Sequence, residues 1–166
     1  MTGAIAFALV VILAGIGLTT VLTVLRAGLP SLALRLDAAA ARRSGLRRLA
    51  IGLLNGPVLF VLAAAFGDQA RSKPLSILFL LALVVLSVLG LTAEVPAIGR
   101  RVLALGKRET SDLAHVLAGG AAVTGCFLVP VVGWAVCAVV LLTAIGTGVS
   151  SLFLPRTRPP TAGDSP

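Results

Sequence analysis

The chain has 166 residues, 58% of them hydrophobic and a further 18 glycine, so about 69% is apolar against a usual 45–50% for soluble domains. Charged residues make up only 12%, and 14 Lys and Arg against six Asp and Glu leave a net charge of +8. So little polar surface excludes a water-soluble globule, and so much aliphatic side chain excludes disorder. What is left is an all-α, polytopic helix bundle in a membrane.

Residues 3–25 carry no charge and exceed the roughly 20 residues a spanning helix needs. No Lys or Arg precedes them and no A-x-A-like site follows, so they are expected to stay attached as a first span. In the basic segment that follows, Leu29-Pro30-Ser31-Leu32 places a proline for the first turn of a helix. Leu32, Leu36 and Ala38 to Ala41 extend it into a first short interfacial helix. The second span covers 49–66 and contains Asn55-Gly56-Pro57, the most polar point within any span. Pro57 removes a backbone donor and predicts a kink, with Asn55 placed to satisfy the freed carbonyl or to line a cavity.

The third span covers 74–91. Beyond it Val95, Ile98, Val102 and Leu105 recur at three and four residues, with Arg101 and Arg108 on another face. That spacing predicts a second short helix lying in the headgroup layer. The fourth and fifth spans are 113–130 and 132–154, separated by Pro130-Val131-Val132-Gly133. Two full spans are preferred there over a re-entrant hairpin. Residues 155–166 are Pro-rich and polar, and are expected to be a disordered tail.

Of the 14 basic residues, all but Arg71 and Lys73 fall in segments that five alternating spans place on one side. An excess of Lys and Arg marks the cytoplasmic side, so the N-terminus is expected outside and the C-terminus inside, in the cytoplasmic (inner) membrane of a bacterium. The two cytoplasmic segments also look alike. Leu29-Pro30 parallels Val95-Pro96, with Arg35 and Arg101 at the same offset. Ser44-x-Leu46-x-x-Leu49-x-x-Gly52 parallels Ser111-x-Leu113-x-x-Val116-x-x-Gly119. A tandem repeat of 1–66 and 67–131 is one reading, and chance likeness in a chain so rich in Leu and Ala is the other.

No Asp, Glu, Lys or Arg falls in the middle of any expected span, which counts against an ion-coupled carrier. Arg42, Arg43, Arg47, Arg48, Arg100, Arg101, Lys107 and Arg108 are expected to contact anionic headgroups or a protein partner. Nucleic acid is not expected, because the basic residues sit between apolar runs without interleaved aromatics and Tyr is absent. His115, Asp112 and Glu109 cluster before the fourth span, where Ser111 or Thr110 can cap and acids suit the helix dipole. Cys126 and Cys137 lie at matching depth and are read as small apolar fillers, although a disulfide is geometrically conceivable.

Small residues four apart recur at Gly15 and Thr19, Ala121 and Gly125, Ala144 and Gly148, and Gly146 and Ser150. They predict close helix packing, with Gly15, Gly125, Gly146 and Gly148 as the contact glycines. Gly148-Val149-Ser150-Ser151 lacks the second glycine of a nucleophile elbow, and no phosphate loop, HExxH or dinucleotide fingerprint occurs. No catalytic, cofactor or metal site is expected.

Val95-Pro96-Ala97-Ile98-Gly99-Arg100-Arg101, the turn Val129-Pro130-Val131-Val132-Gly133-Trp134 and Gly146-x-Gly148 together resemble a bacterial membrane module. That module occurs fused to, or encoded beside, bactofilin-type polymer-forming cytoskeletal proteins. The resemblance covers about 60 residues, and it implies a membrane anchor or scaffold without catalysis. The expected function is therefore a non-catalytic anchor, scaffold or accessory subunit, with a protein partner or a second copy of itself. The alternatives are a small permease, pore or transport-complex subunit and, behind that, an interfacial membrane enzyme.

Overall fold

Backbone groups in hydrocarbon must bond within their own segment, so long apolar runs become helices. The computed structural model describes residues 2–67, 73–105, 111–129 and 131–153. It is an all-helical bundle: α1 Thr2–Gly28, α2 Pro30–Arg42, α3 Gly45–Gly67, α4 Lys73–Ala104, α5 Asp112–Phe127 and α6 Val132–Leu152. Four of these, α1, α3, α4 and α6, are long and apolar enough to cross a membrane. With 16 residues, α5 is about 24 Å long and falls short of the roughly 30 Å hydrocarbon core. It nevertheless runs antiparallel beside both α1 and α6. Large aliphatic side chains such as Leu13, Leu54 and Ile77 are more than half exposed around the outside, as a lipid-facing belt requires. The expected tail at 155–166, with Lys107, Arg108 and Pro130, lies outside the described residues.

Helix association in lipid cannot draw on the hydrophobic effect and depends on close approach, hydrogen bonds and packing. This bundle achieves close approach at four crossings, each built from two pairs of residues spaced by four. Between α3 and α6, Cβ atoms added to Gly52 and Gly146 would overlap the carbonyls of Leu142 and Arg48. Between α4 and α5, Gly99 and Gly119 meet the carbonyls of His115 and Val95 in the same way. Between α4 and α6, Gly90 lies on the carbonyl of Ala144 and Gly148 on that of Leu86. Between α1 and α5 the partner is a side chain: Thr124 fills the space beside Gly15, and Thr19 that beside Gly120. Gly146 and Gly148 are two residues apart and face α3 and α4 respectively, so α6 is wedged between them. Burial follows, with 39% of the apolar window of α6 buried against 6% for α1. Leu22, Leu91, Val95, Val116 and Ala144 complete a small core.

The two prolines paired in the sequence behave differently. Leu29 takes φ −130° and ψ 62°, α1 ends at Gly28, and Pro30 opens α2, as a proline at the first helical position should. At Pro96 no break occurs. The segment expected as a second interfacial helix is the last third of α4, a single helix of 32 residues. The reason is packing: Val95 is fully buried, Pro96 is enclosed, and Gly99 is pinned against α5, so the segment is held in line with the span. At about 48 Å, α4 is longer than the bilayer core, and its end projects beyond it.

Gly146→Leu and Gly52→Leu are expected to destabilise the bundle by roughly 3 kcal/mol, since the overlap is with backbone that cannot rotate away. Gly17→Leu, where an added Cβ meets nothing within 4 Å, is the control and should be neutral. Thermal or SDS-induced unfolding of the detergent-purified protein measures both.

Candidate functional site

The three acids among the described residues, Asp37, Glu94 and Asp112, all lie at one end of the bundle, and each is paired with an arginine. This end collects the C-termini of α1, α4 and α6 and the N-termini of α3 and α5. That is the arrangement alternating spans require. Two clusters form there, on opposite sides of α4.

The first centres on Arg26, in the last turn of α1. Its Nη1 donates to the Thr92 carbonyl at 2.6 Å and to Asp37 Oδ1 at 3.3 Å. Nη2 donates to Asp37 Oδ2 at 3.0 Å and to Asp112 Oδ2 at 3.2 Å, and Nε donates to Asp112 Oδ2 at 3.3 Å. These contacts equal the five N–H bonds of a guanidinium, so Arg26 is saturated. The Thr92 carbonyl is available because Pro96, four residues on, has no N–H to offer it. The proline thus creates an acceptor, and an arginine from another helix takes it.

The second cluster joins α3, α4 and α6. Arg48 Nη1 donates to Glu94 Oε1, and Thr147 Oγ1 donates to the same oxygen at 2.7 Å. Both charged side chains are 12% exposed, so the pair is largely desolvated. Arg48 Nε is buried with no partner among the described residues. Beside it Arg43 Nη1 donates to Ser150 Oγ at 3.1 Å, while Ser150 donates to the Gly146 carbonyl at 2.6 Å. Glycine contacts and ion pairs therefore share residues: Arg48 supplies a carbonyl to Gly146 and a guanidinium to Glu94.

The residues singled out in the sequence divide. Gly15, Gly146 and Gly148 sit at helix crossings, whereas Gly125 faces open space with nothing within 4 Å of an added Cβ. Arg42, Arg47, Arg100 and Arg101 are exposed, but Arg48 and, partly, Arg43 are turned inward and bonded. Asn55 Nδ2 donates to the Ile51 carbonyl at 2.8 Å and not to the Leu53 carbonyl that Pro57 frees. Helix α3 runs without a break through Gly56 and Pro57, and Gly56 is buried against α6. Ser111 is the N-cap of α5, accepting from Ala114 N at 3.4 Å, and Asp112 adds its ion pair to that capping role. Cys126 and Cys137 are free thiols, with Cys137 Sγ 3.9 Å from the Val123 carbonyl.

Sequence reasoning missed Thr92, Asp37, Glu94 and Thr147. Asp37 carried a signal, as the one acid between Arg26 and Arg48. Thr147 carried none, because threonine is common in apolar helices. Among the described residues, no group of three His, Cys, Asp or Glu could hold a metal ion. Each described carboxylate is bonded to a guanidinium, an arrangement that fixes helices relative to one another. Comparison with family models, curated proteins and solved structures finds no match.

Glu94→Ala or Arg48→Met is expected to cost about 3 kcal/mol or more, because either leaves a buried charge unpaired. The double variant Arg48→Met/Glu94→Met should recover much of that loss, and a double-mutant cycle on unfolding free energies reads the coupling.

Proposed function

We propose that the chain is a non-catalytic membrane anchor, scaffold or accessory subunit in the cytoplasmic membrane of a bacterium, with its N-terminus outside and its arginine-rich end in the cytoplasm. One observation supports this above others. The helices touch through backbone atoms where α6 crosses α3 and α4 and where α5 crosses α4, while Arg35, Arg42, Arg47, Arg100 and Arg101 stand exposed at one end. The inward arginines hold the bundle together, and the exposed ones form a rim for anionic headgroups and for a protein partner or a second copy. The likeness to the bactofilin-associated module points the same way.

A tagged protein taken up in mild detergent is expected to elute with a stoichiometric partner or as a defined homo-oligomer by native mass. Reversing Arg42, Arg47, Arg100 and Arg101 to glutamate should release that partner without lowering the unfolding temperature of the isolated protein. A protein that co-isolates with nothing and moves solutes across liposomes would overturn the reading in favour of a small permease. For orientation, single cysteines at Lys73 and Arg101, in a background with Cys126 and Cys137 replaced by Ala, are probed on intact cells with an impermeant maleimide. Lys73→Cys should label and Arg101→Cys should not.

A further inference from the structure

Helix α1 leans on the bundle mainly through α5, and a groove of about 440 Å³ runs along that seam. Its floor is small: Gly15, Thr19, Gly120, Ala121 and Gly125. A further 300 Å³ continues it toward the charged end on the same faces of both helices, from Thr23 and Leu113 to Arg26 and Asp112. From Ile12 to Ala27 the groove follows α1 for about 22 Å, which is half the ~40–45 Å thickness of a bilayer with its headgroups. It is therefore one leaflet deep. A partner's spanning helix needs the whole thickness, whereas a phospholipid needs one leaflet.

The mouth of the groove selects the headgroup. Every N–H of Arg26 is already engaged, so the arginine has none left for a phosphate. Among the described residues one guanidinium faces two carboxylates there, a local net charge of −1, and the Asp112 side chain is 63% exposed. The C-terminus of α1 and the N-terminus of α5 lie side by side, so their opposite dipole ends offset each other. The exposed arginine rim elsewhere attracts anions; this mouth attracts a cation.

We infer that the α1–α5 groove binds one phospholipid with a primary-amine headgroup, phosphatidylethanolamine, its acyl chain over the glycine floor and its ammonium on Asp112. The same apolar groove would hold the chains of phosphatidylglycerol, but that anionic headgroup meets two carboxylates and no uncommitted cation among the described residues of the mouth.

The test is native mass spectrometry of the full chain released from nanodiscs holding phosphatidylethanolamine and phosphatidylglycerol in equal amounts. The wild type should retain one lipid and prefer the amine headgroup by about three- to fivefold, as expected for a partly exposed ion pair. Asp112→Asn should keep the lipid and lose the preference. Gly125→Leu, at a position where an added Cβ meets nothing, should lose the lipid with an unchanged unfolding temperature. Equal retention of both lipids by the wild type, a preference for phosphatidylglycerol, or full retention in Gly125→Leu would each overturn the assignment. So would a wild-type dimer that Gly125→Leu dissociates, which would make the groove a seat for a second copy.

Discussion

The bundle depends on glycine contacts that let helix backbones touch. In water a leucine-lined seam would suffice, because expelling solvent supplies the driving force. In lipid the surrounding tails are as apolar as leucine, and a seam gains only what close approach allows. Cα–H groups of Gly52, Gly99, Gly119 and Gly146 point at carbonyls of the neighbouring helix. Such contacts are weak singly, about 0.5–1 kcal/mol, but each also brings the flanking turns into van der Waals range. The large side chains are thereby freed to face outward, where a membrane protein needs them.

Those contacts also explain the charge layer. Arg48 and Glu94 are on different helices, and each would be costly to bury alone. They meet because Gly52 seats α3 on α6 while Gly90 and Gly148 seat α4 on the same helix. The Nε of Arg48, unpartnered among the described residues, fits this order of precedence: backbone packing sets the position, and the guanidinium makes what bonds it can from there. At Arg26 the dependence runs through proline. Pro96 stays helical because its neighbours Val95 and Gly99 are held against α5, its missing N–H leaves Thr92 O open, and Arg26 binds that oxygen together with two acids.

Much of this was legible from the residues. The apolar runs become helices as their length requires, and the gathering of the basic segments at one end follows from their alternation between those helices. Gly15, Gly146 and Gly148 were visible as four-residue patterns, and so was the cap at Ser111. The break at Pro30 and the continuity at Pro96 were not separable, because the deciding difference is tertiary: Val95 and Gly99 have α5 to lean on. Gly125 misled for the complementary reason, since spacing shows that a face is smooth and not whether anything rests on it. The pairing of Arg26 with Asp112 joins residues 86 apart, a distance over which sequence pattern is silent.

The division of the arginines bears most directly on function. An arginine that is bonded within the bundle contributes nothing to the field outside it, so net charge overstates what a partner meets. Arg26 and Arg48 are neutralised by acids, and the Arg26 mouth is even slightly acidic. The exposed set, Arg35, Arg42, Arg47, Arg100 and Arg101, comes from the basic segments of α2, α3 and α4. Because α2 packs on α4 and α6 and α3 packs on both, these charges sit on one packed unit. A basic rim carried on one packed bundle is what the proposed anchor role calls for.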